Sequence, residues 1–247
     1  MSPSAFSFEP AFLVLPVTAG LAYARAARAD APARWRCASF ATGLVFVAAS
    51  LNSPLETIAA HYLLLIHLLQ NALIADVAPP LLLLGLTPRM RESLATRFPW
   101  PRARLALPIW LAAWYGTHAA GFYDWALRTG WALNVEHAIL IVAGFLFWWP
   151  LLSGRLATPV ALAYLAVAFV GSSFLGLALI FSSTPFYSFY KHTPRLWGLS
   201  PSRDQNLGGI LMNAEQTLVF LTAIAYFLWR LLDEEHASGA DGSRAAG

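Results

Sequence analysis

The stretch HYLLLIHLLQNALIADVAPP, residues 61–80, decides how this chain folds. It lies inside an apolar run over residues 57–86, longer than the roughly 20 residues a helix needs to cross a bilayer. Yet the run carries His61, His67, Gln70, Asn71 and Asp76. Such groups are costly in hydrocarbon and are kept where they face a protein interior or a wet cavity. The expected architecture is therefore all-α, a bundle of membrane-spanning helices with a polar interior.

Working outward, the composition agrees. The chain has 247 residues, 58% hydrophobic and 12% charged, with a mean hydropathy of +0.56. A soluble domain carries about 25% charged residues. The sequence pI near 9.2 does not point to nucleic acid, because the arginines lie in loops between apolar runs. Cys37 is the only cysteine, so there is no disulfide framework and no CxxC motif. MSPSAFSFEP has neither a basic leader region nor a clear cleavage signal after it, so the first span is expected to be retained.

Seven spans are expected, over 8–27, 36–52, 57–86, 105–121, 131–152, 157–182 and 208–232. The second is the shortest and weakest. Residues 1–232 form one transmembrane domain, and 233–247 read as a disordered cytoplasmic tail. The loops after spans one, three and five and the tail hold 12 of the 16 Lys and Arg residues, which sets the N-terminus outside and the C-terminus inside. FLFWWP reads as an aromatic anchor at the inner interface. NSPLET reads as a capping box from Ser53 to Glu56.

At about 100° per residue, His67, Gln70 and Asn71 share one helix face, while Asp76 lies opposite and His61 is offset. Gly208, Met212, Glu215 and Gln216 share a face of span seven. Any one of these alone reads as packing or as an interhelical hydrogen bond. Together they say more. His67, His118 and His137 come from three spans, biased to the outer side, and Met212 and Glu215 from a fourth. Packing alone does not account for that combination, and its outward bias is the clearest functional clue the residues give on their own.

Four blocks resemble the multi-span CtaG family of cytochrome c oxidase assembly proteins, which is distinct from the single-span copper chaperone sharing that name. They are HLLQNALIADVAPPLLLLG, THAAGFYDWAL, EHAILIVAGFLFWWPLL and FYSFYKHTPRLWGLSPSRDQNLGGILM, in family order. His67, Gln70, His118, Tyr123, Asp124, Glu136, His137, Asp204, Gln205, Gly208 and Gly209 match family positions. The resemblance implies a multi-pass protein of the bacterial cytoplasmic (inner) membrane that helps build haem-copper oxidase by handling a copper ion. Its implied partners are oxidase subunits or a periplasmic copper chaperone.

The chain departs from that pattern. Asn71 and Leu133 stand where the family commonly has His, MNAEQT replaces a more apolar segment, and Asp76 has no expected counterpart. Carboxylates favour harder ions than Cu(I), so the choice of metal is left open. The expected ligands are His67, His118, His137, Met212 and Glu215, with His61, Gln70, Asn71, Asp76, Asp124, Glu136, Asp204 and Gln205 in supporting roles. Two other readings stand beside this one: a membrane cytochrome holding b-type haem between His67 and His137, and a cation or solute transporter using Asp76. No catalytic motif points to an enzyme.

Overall fold

A computed structural model describes residues 2–245, with side chains as far as residue 237. Every regular element among the described residues is helical. In chain order these are α1 (Pro10–Asp30), α2 (Arg34–Leu51), α3 (Pro54–His61) and α4 (Leu64–Ala72). A π-helical segment, Leu73–Val77, leads into α5 (Ala78–Gly85) and α6 (Pro88–Arg97). Then come α7 (Ala103–Thr117), α8 (Ala120–Arg128), α9 (Gly130–Leu152), α10 (Thr158–Phe181), α11 (Ser188–Lys191) and α12 (Pro201–Ala245).

Five helical stretches are long and apolar enough to cross a membrane: α1, α4 through α5, α9, α10 and α12. α2 with α3, bent by 47°, makes a sixth. The expected fourth span falls short. α7 has 15 residues, about 22 Å at 1.5 Å per residue, against about 30 Å of hydrocarbon.

The third span is also not one helix. α3 ends at His61, and α4 starts afresh at Leu64. Two prolines account for the π-helical segment. Pro79 and Pro80 have no N–H, so the carbonyls of Ala75 and Asp76 lose their usual partners four residues on. The Ala78 N–H bonds instead to Leu73 O, five residues back. The freed Ala75 carbonyl faces Gly144 of α9, where an added Cβ would collide with it. Gly144 therefore lets α9 lie close to the π segment. Gly176 of α10 and Gly209 of α12 do the same for the α10–α12 pair, which packs along much of its length.

The apolar core has two layers. One, toward the end that carries α6, gathers Phe40, Leu82, Trp110, Phe147, Trp148, Trp149, Tyr164 and Phe220. FLFWWP thus belongs to the core and is not an interfacial anchor. Trp149 stacks on Trp100 at 4.1 Å between ring centres. The other layer, toward the end that carries α3, α8 and α11, gathers Phe12, Leu51, Leu64, Leu68, Trp114, Tyr123, Tyr187, Tyr190 and Met212.

Two local expectations change. The Ser53 hydroxyl does cap α3, accepting from Leu55 N–H at 3.1 Å. Glu56 does not complete the box, because its carboxylate is buried against Gln70. Beyond 233, α12 carries on to Ala245 through the stretch expected to be a disordered tail. Arg230 and Glu234 pair at 2.8 Å one turn apart, and Glu234 accepts from Thr158 at the start of α10.

Candidate metal-handling site

The site begins with a helix that starts inside the protein. Leu63, before α4, offers no side-chain cap, so the first N–H groups of α4 need acceptors from elsewhere. Asp204 of α12 supplies them. Its carboxylate accepts from Leu64 N–H at 3.0 Å and Leu65 N–H at 2.9 Å, and it pairs with Arg195 at 2.7 Å. A negative charge at the positive end of α4 is favourable. Asp204 therefore sets where α4 begins, and with it the position of His67 one turn later.

His67 is fully buried. Its Nδ1 lies 2.9 Å from the Tyr190 hydroxyl, which itself donates to Ala59 O. With that proton committed, Tyr190 accepts, so His67 carries its hydrogen on Nδ1 and presents a bare Nε2. This Nε2 has no hydrogen bond and lies 3.7 Å from Glu136 Oε1. The same Glu136 oxygen accepts from Asn71 Nδ2 at 3.2 Å, and Oε2 has no partner. Beside Glu136 on α9, His137 is buried with both ring nitrogens unpartnered. Its ring centre is 5.8 Å from that of His67.

His118 repeats the arrangement at the end of α7. Its Nδ1 lies 2.8 Å from Trp114 O, a pure acceptor, so Nδ1 holds the hydrogen and the unpartnered Nε2 is bare. The Tyr123 ring touches both imidazoles, 4.9 Å from His67 and 5.7 Å from His118. Among the described residues, no three His, Cys, Asp or Glu groups converge closely enough to hold a metal ion. The donor set nevertheless suits one. Four unpartnered imidazole nitrogens, one of them the N–H of His137 and three able to act as donors to a metal, and a free carboxylate oxygen, all buried, are costly to leave unpaired and suit a metal ion.

The other expected residues divide. Asn71 reaches the site through Glu136. Gln70 does not, although it shares the ideal helical face of His67. It donates to Ser50 O at 2.7 Å and to Glu56, and so holds α4 to α2 and α3. His61 is exposed at the end of α3. Asp124 accepts from the N–H groups of Ser188 and Phe189 at 3.0 and 2.9 Å, capping α11 and so presenting Tyr190 to His67. Gln205 accepts from Phe186 N–H at 2.6 Å and steadies the same loop. Met212 is buried in the apolar layer that also contains Tyr123 and Tyr190.

Glu215 departs from its expected place. Its two carboxylate oxygens are buried without partners, and the titratable group that acts on it is the Asp76 carboxyl, not an imidazole. Asp76 is itself fully buried, with both oxygens unpartnered. Sequence reasoning assigned no site role to Tyr190. Only the chain-distant contact with His67, between positions 123 residues apart, reveals one.

Comparison with curated proteins and with solved structures finds no match to either. A family profile does match, that of the cytochrome c oxidase caa3 assembly factor, over residues 18–234. That match covers most of the chain and takes in the sequence blocks around His67, His118, Glu136–His137 and Asp204, and the chain belongs to the caa3-type CtaG family of cytochrome c oxidase assembly factors.

Proposed function

We propose that the protein is a seven-span factor of the bacterial cytoplasmic membrane that holds copper as cargo for insertion into haem-copper oxidase. The arginine-rich loops support an inside position for the α6 end, which leaves the histidine site toward the outside. α2 with α3, and α7 with the start of α8, would complete the seven crossings.

One observation carries the reading. His67 and His118 have their Nδ1 hydrogens committed, to Tyr190 and to Trp114 O, so their Nε2 atoms are held as bare donors. Hydrogen bonds that fix a tautomer and leave the other nitrogen unused suit a metal ligand better than a packing residue. His67, His137 and Glu136 are the expected first holders of the ion. His118 joins when the Tyr123 ring turns aside. Met212 is the soft donor in the same layer, and Glu215 stands outside the set. No enzymatic step is required of any of these groups. They bind, exclude water and release the ion to an oxidase subunit or a periplasmic copper chaperone.

The test is metal analysis of the purified protein after copper loading, beside a His67→Ala/His137→Ala double variant. The parent is expected to retain copper and the variant to lose it. Equal copper in the two would overturn the site. Unimpaired oxidase activity in a strain lacking the protein would overturn the assembly role.

A further inference from the structure

A second feature lies at the opposite end of the bundle. α12 packs along α10, and against α4 near its start, but its later half does not close against α5 or the end of α9. The gap is a cavity of about 1150 Å³. This exceeds the roughly 300–1,000 Å³ of ordinary small-molecule pockets. Along α12 it extends from Leu218 to Arg230, about 18 Å at 1.5 Å per residue. One leaflet of hydrocarbon is about 15 Å deep, half of the 30 Å core. The walls are mostly apolar, including Leu81, Trp148 and Val219.

The mouth is cationic. Arg36, Arg91, Arg155 and Arg230 all line the cavity, against Glu92 at the same level and Asp76 at the deep end. Arg36 is spent on the carbonyls of Leu84 and Leu86, and Arg230 on Glu234. Arg155 stands exposed at the rim. Arg91 bonds to Leu152 O through one terminal nitrogen, while its Nε is buried with no partner. Burial and the neighbouring Arg36 charge hold the Arg91 guanidinium below its ordinary pKa. A half-buried cation whose Nε is buried and unused, beside a second cation, calls for an anion.

We infer that this cavity is a binding site for one anionic phospholipid, its phosphate at Arg91 and Arg155 and its acyl chains against α5, α9 and α12. Basic recesses between helices at the cytoplasmic interface suit such headgroups. The acyl chains would fill the apolar length that α12 leaves open. The headgroup would meet the Arg91 Nε and offset the repulsion between Arg91 and Arg36. This inference is independent of copper binding.

The experiment is a lipid titration of the purified full chain in neutral detergent, read as bound lipid by native mass spectrometry and as a shift in Tm. The probes are phosphatidylglycerol, phosphatidylcholine and glycerol phosphate. Phosphatidylglycerol is expected to bind at one copy per chain and raise Tm, with glycerol phosphate and phosphatidylcholine well below it. Arg155→Gln, an exposed change that leaves the fold alone, should weaken that binding about fivefold, as one surface arginine near an anionic lipid does. Ala223→Phe, which fills the cavity wall, should abolish the single-copy binding while Tm without lipid is kept. Equal binding of phosphatidylcholine, a full response to glycerol phosphate, or unchanged phosphatidylglycerol binding in both variants would overturn the proposal.

Discussion

His67 gives its Nδ1 hydrogen to the Tyr190 hydroxyl at 2.9 Å, across 123 positions of sequence. Tyr190 donates its own hydroxyl hydrogen bond to Ala59 O. The phenol is thus a spacer of fixed polarity: it can only accept from His67, and the imidazole can only present Nε2 to Glu136.

Tyr190→Phe should therefore weaken copper binding more than it weakens the fold. Loss of such an outer hydrogen bond typically costs 10- to 100-fold in metal affinity. The two hydrogen bonds removed are worth only about 1 kcal/mol each in stability. Competition titration with a copper chelator reads the first effect and thermal unfolding the second. An unchanged copper affinity would show that Tyr190 does not hold the tautomer.

Copper retention should fall as the pH is lowered. Each imidazole must be neutral to ligate, so protons compete with the ion and acid favours its release. Equilibrium dialysis from pH 8 down to strongly acid pH measures it. Retention that stays flat into strong acid would point away from imidazole ligands.

Asp204→Ala removes the cap of α4 and leaves Arg195 without its partner. Breaking a pair with one fully buried member is expected to cost about 3 kcal/mol. Asp204→Asn keeps one of the two acceptor oxygens, so it can serve one of the Leu64 and Leu65 N–H groups, and should cost less than Ala, about 1–2 kcal/mol. Thermal unfolding in detergent ranks the three proteins. If the Ala variant were as stable as the parent, α4 would not depend on this cap.

Gly144→Ala places a Cβ onto the backbone oxygen of Ala75, which cannot rotate away. Overpacking of this kind costs about 1–3 kcal/mol, and α9 should shift from the π segment, carrying Glu136 and His137 with it. Gly116→Ala, where a Cβ meets open space, should be neutral or slightly stabilising. Comparing both variants for Tm and copper content tests the contact. Equal behaviour would remove Gly144 from the account.

Asn71→His restores the imidazole that relatives are expected to carry at this position. The side chain already reaches Glu136 at 3.2 Å, so an imidazole there would join His67 and His137. Copper should bind more tightly than in the parent, by isothermal or chelator titration. A weaker site would mean that the Asn71–Glu136 bond matters more than a further ligand.

Much of this was legible before the fold was known. Apolar runs of span length identified a membrane protein, because hydrocarbon admits few alternatives to helices. The placement of His67, His118, Glu136–His137 and Asp204 in four blocks identified the family. Periodicity also separated Asp76 from His67, since a helix puts positions nine apart on opposite faces.

Other features were not legible, and the reasons are physical. Gln70 shares a helical face with His67, but a face does not say which neighbour covers it, and here Ser50 and Glu56 do. The continuous third span was an error of the same kind. Its apolar count ignores where backbone groups find partners, and the chain restarts at Leu64 because Asp204, 140 residues away, accepts from it. Glu215 looked like a ligand from span seven, yet on α12, which packs on α10, the titratable group that acts on it is Asp76 and not an imidazole. The cluster of arginines around one cavity was equally hidden, since Arg36, Arg91, Arg155 and Arg230 come from four separate segments. Sequence alone determined the solvent, the helical class, the family and the chemical inventory, because these follow from composition and local spacing. Tertiary structure decided which polar group meets which. Those pairings depend on the packing of helices far apart in the chain, and no local period encodes it.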